Sequence, residues 1–516
     1  MTVSEHPSTL ISSEHHNDSN NSKLAKNIWK VTAALKRDDR ANRLKPYAHW
    51  GLAELAPPSS QKNITSLVHT RLTDRERSFL AIDATDLAQR LASRDCTALE
   101  VTTAFCKAAY VAQELTNCLT EVMFDQALAR ARELDTHISA TGKVVGPLHG
   151  VPVSIKDHIA VKGEDTATGF VAWAGRKIAE EDATIVQILR QAGAIIYVKT
   201  TNPQALFALE TRSNIYGSTS NPYNRELGCG GSSGGEGALI ASRGSLLGVG
   251  TDIGGSIRKE GDKLVIGFFT DDGVVAPHPP IIERLHKTRD ALIAAGHEVI
   301  DWVPMDHMQA FKLIAELFFL DGGEAIRAVL AESGEPAIPP LARHLPDSKE
   351  ADTHTLAQSW AANVQRDQFR APQSWAANVQ RDQFRARALK HWNDTALQSK
   401  SGRPVDAILC PVAPTLAPPY DTTRWAGYTT YWNLLDLPSV VFPSGEPFRA
   451  STWESTNSSP SDEPRNPIDA FVKEQWDPEA FDGAPIGLQL VGRRWQEEKL
   501  LAMLKDVEDA VVRFEK

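Results

Sequence analysis

Residues 228–258 read GCGGSSGGEGALIASRGSLLGVGTDIGGSIR. Two glycine-rich turns that carry serine, GGSSGG and TDIGGS, bracket a helix-to-strand unit. Upstream, residues 146–157 read GPLHGVPVSIKD and place Lys156 at the end of an apolar run. Together these stretches supply serine hydroxyls, an amine and several unencumbered backbone N–H groups. That set suits acyl transfer without histidine or metal. Serine is a weak nucleophile and needs a base nearby. Lysine serves as that base only when neutral, a state favoured by burial or by neighbouring positive charge. Glycine lets the chain turn sharply, so that bare N–H groups converge on one point. Such donors hold the oxyanion of a tetrahedral intermediate, and losing one costs roughly 3 kcal/mol of barrier. Ser–Lys arrangements are an accepted variant of serine-hydrolase chemistry.

Other readings of the stretch are a linker and a phosphate cradle. Ala238, Leu239, Ile240, Leu246, Leu247 and Val249 thread apolar side chains through it, which a Gly/Ser linker lacks. Neither GxxxxGK[ST] nor G-x-G-x-x-G can be placed on its glycines. On these residues alone, a catalytic loop and a structural glycine turn stand about equal.

GGSSGGEGALI followed by GVGTDIGGSIR closely resembles the amidase signature family. LTNCLTEVMFDQALARARELD, YVKTTNPQ, DAILCPVAPTLAPPY, YTTYWNLLDLPSVVFP and GAPIGLQLVGRRWQEEKL resemble its fungal acetamidase-type branch. The similarity runs from about Trp29 onward. It implies an α/β amidase signature fold, a central twisted mixed β-sheet covered by helices on both faces. It implies Lys156 as general base, Ser256 as the acylated nucleophile, and Ser232, at the family's cis-peptide position, as proton relay between them. Backbone N–H groups of Ile253, Gly254, Gly255 and Ser256 would form the oxyanion hole. Ser233, Asp252 and Arg258 would brace the loop or bind substrate. The substrate implied is a small-molecule amide, released as acid plus ammonia or amine through an acyl-enzyme. No cofactor or metal is implied, and a homodimer is left open.

Two features depart from the family. After Arg258 the chain runs directly into text resembling a much later part of the family, so an internal segment is expected to be missing. The loss of a helix and a strand there would leave an incomplete sheet with unpaired backbone groups. The second departure is a repeat. QSWAANVQRDQFRA occupies 358–371 and recurs at 373–386, separated by Pro372. Two copies do not make a solenoid. A local duplication that extrudes one copy or lengthens a helix is the favoured reading, over a coiled-coil device. The missing segment makes a catalytically impaired relative the main alternative to an active amidase. An amidotransferase subunit is a third reading, opposed by the acetamidase-like C-terminal text.

The rest of the chain frames this site. With 516 residues, 42% of them hydrophobic, it can bury a substantial core, and its net charge of −10 argues against nucleic-acid binding. Cys96, Cys106, Cys118, Cys229 and Cys410 show no metal spacing and read as reduced thiols. No apolar run is long enough to span a bilayer, and the polar N-terminus lacks a signal-peptide core. A cytoplasmic location follows by elimination. The expected organisation is a disordered tail (1–22), a helical N-terminal region (23–75) that is basic over 23–45, and an amidase domain (76–516) with its core motif at 146–258.

Thr97 and Glu100 form a capping box for a helix carrying Val101, Phe105 and Ala109. Helical periodicity also covers 121–138 and 184–192. Strands are expected at 151–155, 194–199, 298–302 and 407–410, and a surface loop at 449–466. Trp425, Tyr428, Tyr431 and Trp432 read equally as one wall of an acyl pocket or as core packing. His158 reads as a structural or solvated histidine.

Overall fold

The strand that ends in Lys156 lies inside the first of two larger sheets. The computed structural model describes residues 28–58, 60–251, 263–346, 376–453 and 463–516. Leu119–Val122 (β1), Pro152–Lys156 (β2), Ile195–Thr200 (β3) and Leu247–Val249 (β6) form a sheet in the order β1-β3-β2-β6. Arg212–Ser213 (β4) and Gly217–Ser218 (β5) make a separate ribbon. β2 runs parallel to both β3 and β6, and β1 pairs antiparallel with β3. Ile28–Leu44 (α1), Ala98–Thr116 (α2), Phe124–Thr141 (α3), Thr184–Gln191 (α4) and Gly234–Ala241 (α5) surround this sheet.

Strand alternation divides β2 between two faces. Val153 and Ile155 pack with Val186 and Leu189 of α4. Ser154 and Lys156 point the opposite way, toward α5. All five β2 residues are buried, as expected of an inner parallel strand covered on both sides. On the α5 side, α2 and α3 supply most of the cover, with Val101, Phe105 and Ala109 fully buried. Both halves of the expected capping box form at Thr97 and Glu100. The helix expected over 121–138 begins later, at Phe124. Glu121 and Val122 belong to β1 instead, and Met123 N–H donates to Tyr197 O at 3.0 Å, so sheet pairing overrides the local helical period.

The basic residues of α1 are docked, not solvated. Lys36 is 7% exposed and its Nζ lies 2.7 Å from Glu121 and 3.1 Å from Asp165. Arg40 donates to Leu119 O at 2.6 Å, and Arg43 pairs with Glu164. Burial pushes the Glu121 carboxyl up to about 7 against the pull of Lys36 and Arg43. Residues 1–27, including the expected tail, lie outside the described residues.

The second sheet contains Val265–Phe268 (β7), Glu298–Asp301 (β8), Ala407–Pro411 (β9), Ser439–Pro443 (β10) and Gly487–Val491 (β11), in the order β10-β11-β9-β7-β8. Pro279–Ala294 (α6) and Glu497–Phe514 (α9) cover one face. Residues 376–394 (α7) and Gly427–Leu435 (α8) cover the other. α7 contains most of the second repeat copy and buries Ala377, Phe384, Ala388 and Trp392. The first copy and Pro372 lie outside the described residues, as does the middle half (454–462) of the expected 449–466 loop. Among the described residues the expected central sheet is therefore divided. β6 bounds the first sheet and β10 the second, and Val441 on β10 is 55% exposed. No helix among the described residues is long and apolar enough to cross a membrane.

Thr97→Ala removes the hydroxyl that accepts from Glu100 N–H, keeps the bond from Thr97 N–H to the Glu100 carboxylate, and leaves the buried face of α2 unchanged. It is expected to lower stability by about 1 kcal/mol, read as a lower urea midpoint at unchanged slope.

Candidate active site

Lys156 closes β2 with no exposure to water. Its Nζ lies 2.7 Å from Ser232 Oγ and 3.0 Å from Thr251 Oγ1. Burying an amine is costly unless it is hydrogen-bonded, and these hydroxyls meet that need. A hydroxyl can accept from an amine or donate to it, so the contact to Ser232 suits proton transfer in either direction.

Ser232 follows a cis peptide bond, Gly231–Ser232. The loop is held by contacts too close for larger residues. A Cβ at Gly231 would fall 2.8 Å from Ala208 O, and one at Gly235 would fall 2.3 Å from Thr201 N. Thr211 Oγ1 receives Gly234 N–H at 3.1 Å and donates to Gly230 O at 2.8 Å. Ser233 stands at the start of α5, and its Oγ receives Thr251 N–H at 3.3 Å. The first glycine turn and the chain leaving β6 thus meet at Lys156.

Asp252, Ile253, Gly254, Gly255, Ser256 and Arg258 lie outside the described residues. The structure therefore brings together Lys156, Ser232 and Ser233 from the sequence expectation. Thr251 was not anticipated, although it is the first residue of the quoted TDIGGS turn. Ser154, Thr200 and Glu236 were also missed. Strand periodicity could have found Ser154, two residues before Lys156 and on the same face, and Glu236 sits inside the GGSSGGEGALI motif itself.

Competing nucleophiles and bases are disfavoured by their surroundings. Burial, then the charges of Lys156 and Lys199, holds the half-buried His158 imidazole down at about 4, which keeps it neutral. Lys199 projects to the other face, where it donates to Asp165 O and Thr166 Oγ1. Burial pushes the Cys229 thiol up to about 12, so it is not a reactive thiolate.

A cavity of about 380 Å³ adjoins the backbone of Gly228, Gly230 and Gly231. Its walls include Leu209, Ile281, Leu416, Trp425, Val441 and Val472. Of the four aromatic residues singled out in the sequence, Trp425 reaches this cavity, and its Nε1 donates to Asp272 Oδ2 at 2.7 Å. Tyr428, Tyr431 and Trp432 are about 1% exposed and pack in the second core. Tyr428 donates to Val275 O at 2.7 Å, and Tyr431 stacks on His307 with ring centres 3.8 Å apart.

The family model described as Amidase matches residues 100–259 and 259–501. The chain belongs to the amidase family. It is 35% identical over 519 aligned positions to the acetamidase of Emericella nidulans, with 84% of this chain and 90% of that one covered. It is 35% identical over 503 positions to a putative amidase of Schizosaccharomyces pombe, covering 82% and 88%. Among solved structures, a fatty acid amide hydrolase superposes with a TM-score of 0.81 at 27% identity, covering 95% of this chain and 96% of that one. These matches bear out the α/β amidase fold and identify an amide hydrolase acting on C–N bonds.

His158→Gln is expected to leave the pH dependence of serine labelling by a fluorophosphonate unchanged between about pH 6 and pH 9, because a histidine titrating near 4 is already neutral there. A lost or displaced inflection in that range would identify His158 as a base.

Proposed function

We propose that Lys156, Ser232 and Ser256 form the catalytic triad of this amidase. The observation that carries the reading is the 2.7 Å contact between Lys156 Nζ and Ser232 Oγ at a fully buried amine. Neutral Lys156 takes the Ser232 hydroxyl proton as Ser232 takes that of Ser256. Ser256 Oγ then attacks the amide carbonyl carbon. The oxyanion is held by backbone N–H groups among Ile253, Gly254, Gly255 and Ser256. The relay runs in reverse to protonate the leaving nitrogen, and the C–N bond breaks to release ammonia or an amine. Water, deprotonated through the same relay, attacks the acyl-enzyme and frees the acid. Ser233, Asp252 and Arg258 brace the loop or contact substrate. We assign residues 76–516 to the amidase domain and 23–75 to a helical region, whose helix from Ile28 docks on it.

The apolar walls of the 380 Å³ cavity support an uncharged acyl group as the preferred substrate half. The relatives named for acetamide and for fatty acid amides bracket the acyl sizes worth testing. Arg424 is the one charged side chain among the lining residues, and its guanidinium bonds the carbonyls of Asp421 and Thr423.

A second reading, a catalytically impaired relative, draws on the divided sheet. The two matched family stretches meet at Lys259. The alignment to the Emericella acetamidase uses 519 positions yet covers only 84% of this chain. The first supports a segment absent after Arg258, and the second supports gaps in this chain relative to that acetamidase.

Fluorophosphonate labelling of the purified protein separates the two readings. An active triad labels, Ser256→Ala abolishes labelling, and Lys156→Ala slows it by about 10²- to 10⁴-fold. A folded protein that does not label supports the impaired relative.

A further inference from the structure

Glu236, in the first turn of α5, is a buried acid that the triad does not use. It is 4% exposed. Its Oε1 receives Thr200 Oγ1 at 2.8 Å, and its Oε2 lies 2.5 Å from Ser154 Oγ. Ser154 Oγ lies 3.0 Å from Ser245 Oγ, and Ser245 Oγ lies 2.9 Å from Leu247 O. A Cβ at Gly248 would fall 2.0 Å from Glu236 Oε2, so β6 needs glycine there for the carboxyl to fit.

The protons in this chain can be counted. There are four oxygen–oxygen contacts, and each needs one proton. The hydroxyls of Thr200, Ser154 and Ser245 supply three, and the Leu247 carbonyl supplies none. With Glu236 as a carboxylate, one contact would be two acceptors face to face. With Glu236 as the acid, Thr200 donates to Glu236, Glu236 to Ser154, Ser154 to Ser245, and Ser245 to Leu247 O.

We propose that Glu236 is a positioning residue held as the neutral acid, whose proton completes a chain of contacts clamping α5 to β2, β3 and β6. α5 begins just after Ser232 and Ser233, and β2 ends in Lys156, so the clamp fixes both sides of the amine–hydroxyl contact. That role rests on the proposed triad, whereas the protonation state does not. Burial pushes the Glu236 carboxyl up to about 7, opposed by its bonds from Ser154 and Thr200 and, whenever Lys156 is protonated, by the charge of that amine. The other titratable groups that face it are Tyr197 on β3 and Cys118 between α2 and β1, and burial raises both, keeping them neutral. Ionising Glu236 would break the chain and add a negative charge on the Lys156 face of β2, against the neutral amine that a base requires.

The test compares the pH dependence of thermal unfolding in the wild type and Glu236→Gln. The side chain titrates near 4.5 when unfolded and near 7 when folded. Between those values the native state binds more protons, so stability falls as pH rises. Glutamine can donate to Ser154 and accept from Thr200 without titrating. The variant is therefore expected to lose less Tm than the wild type between about pH 5 and pH 7. Equal slopes would overturn the proposal.

If the variant does not fold, infrared spectra of wild type and Ser154→Ala with ¹³C-labelled glutamate decide the same point. A protonated-carboxyl band that shifts in Ser154→Ala supports the neutral acid, and the absence of a Ser154-sensitive band below about pH 6 overturns it. For positioning, Glu236→Gln should keep most of the fluorophosphonate labelling rate and lose the wild-type inflection near 7, while Glu236→Ala should lose about tenfold at every pH. Equal losses in the two variants would remove the positioning role. A wild type that never labels would count against the triad, with the unfolding slopes still deciding the proton.

Discussion

An amine sealed from water at the end of an inner strand is the constraint on which the rest depends. Lys156 has no solvent exposure, so its contacts must come from the protein. Ser232 and Thr251 provide them as hydroxyls, which bring no charge of their own. Placing both requires a glycine loop packed onto the backbone at Ala208 and a chain returning from β6 beside Ser233. Below the amine, Ser154, Thr200 and Glu236 continue the polar layer into the face of the sheet. The polar layer is thus continuous where α5 meets β2 and β3, and apolar packing resumes beyond it.

The second half of the chain supplies a wall for this site. β9 and β11 lie in its sheet, and Trp425 and Val441 reach the cavity beside the glycine loop. β6 and β10 each have a partner on one side among the described residues. Such edges are templates for further pairing. Local chemistry at Lys156 and the completeness of the sheet are therefore separate questions, because the amine's described contacts come from the first sheet and its loops.

Much of this was legible in sequence, where local chemistry and tertiary need agree. Thr97 and Glu100 announced a helix start, and the apolar run before Lys156 announced a buried strand. Glu121 and Val122 failed because their period is helical while pairing with β3 makes them strand. The basic residues of α1 gave no hint of burial, since Glu121 and Asp165, their partners, are distant in sequence. Tyr428, Tyr431 and Trp432 could not be separated from Trp425 by composition. Only the packing of α8 shows which ring meets the cavity. Glu236 was visible inside the motif, but its role depends on hydroxyls from three other segments.

The central claim is that amide cleavage passes through Ser256, driven by the Lys156–Ser232 contact. Its most direct test is peptide mass spectrometry after rapid acid quench of the protein mixed with an amide substrate. The account predicts the mass of the acyl group on the peptide carrying Ser256, absent from that peptide in Ser256→Ala. Acylation of a different residue, or turnover that persists in Ser256→Ala, would contradict it.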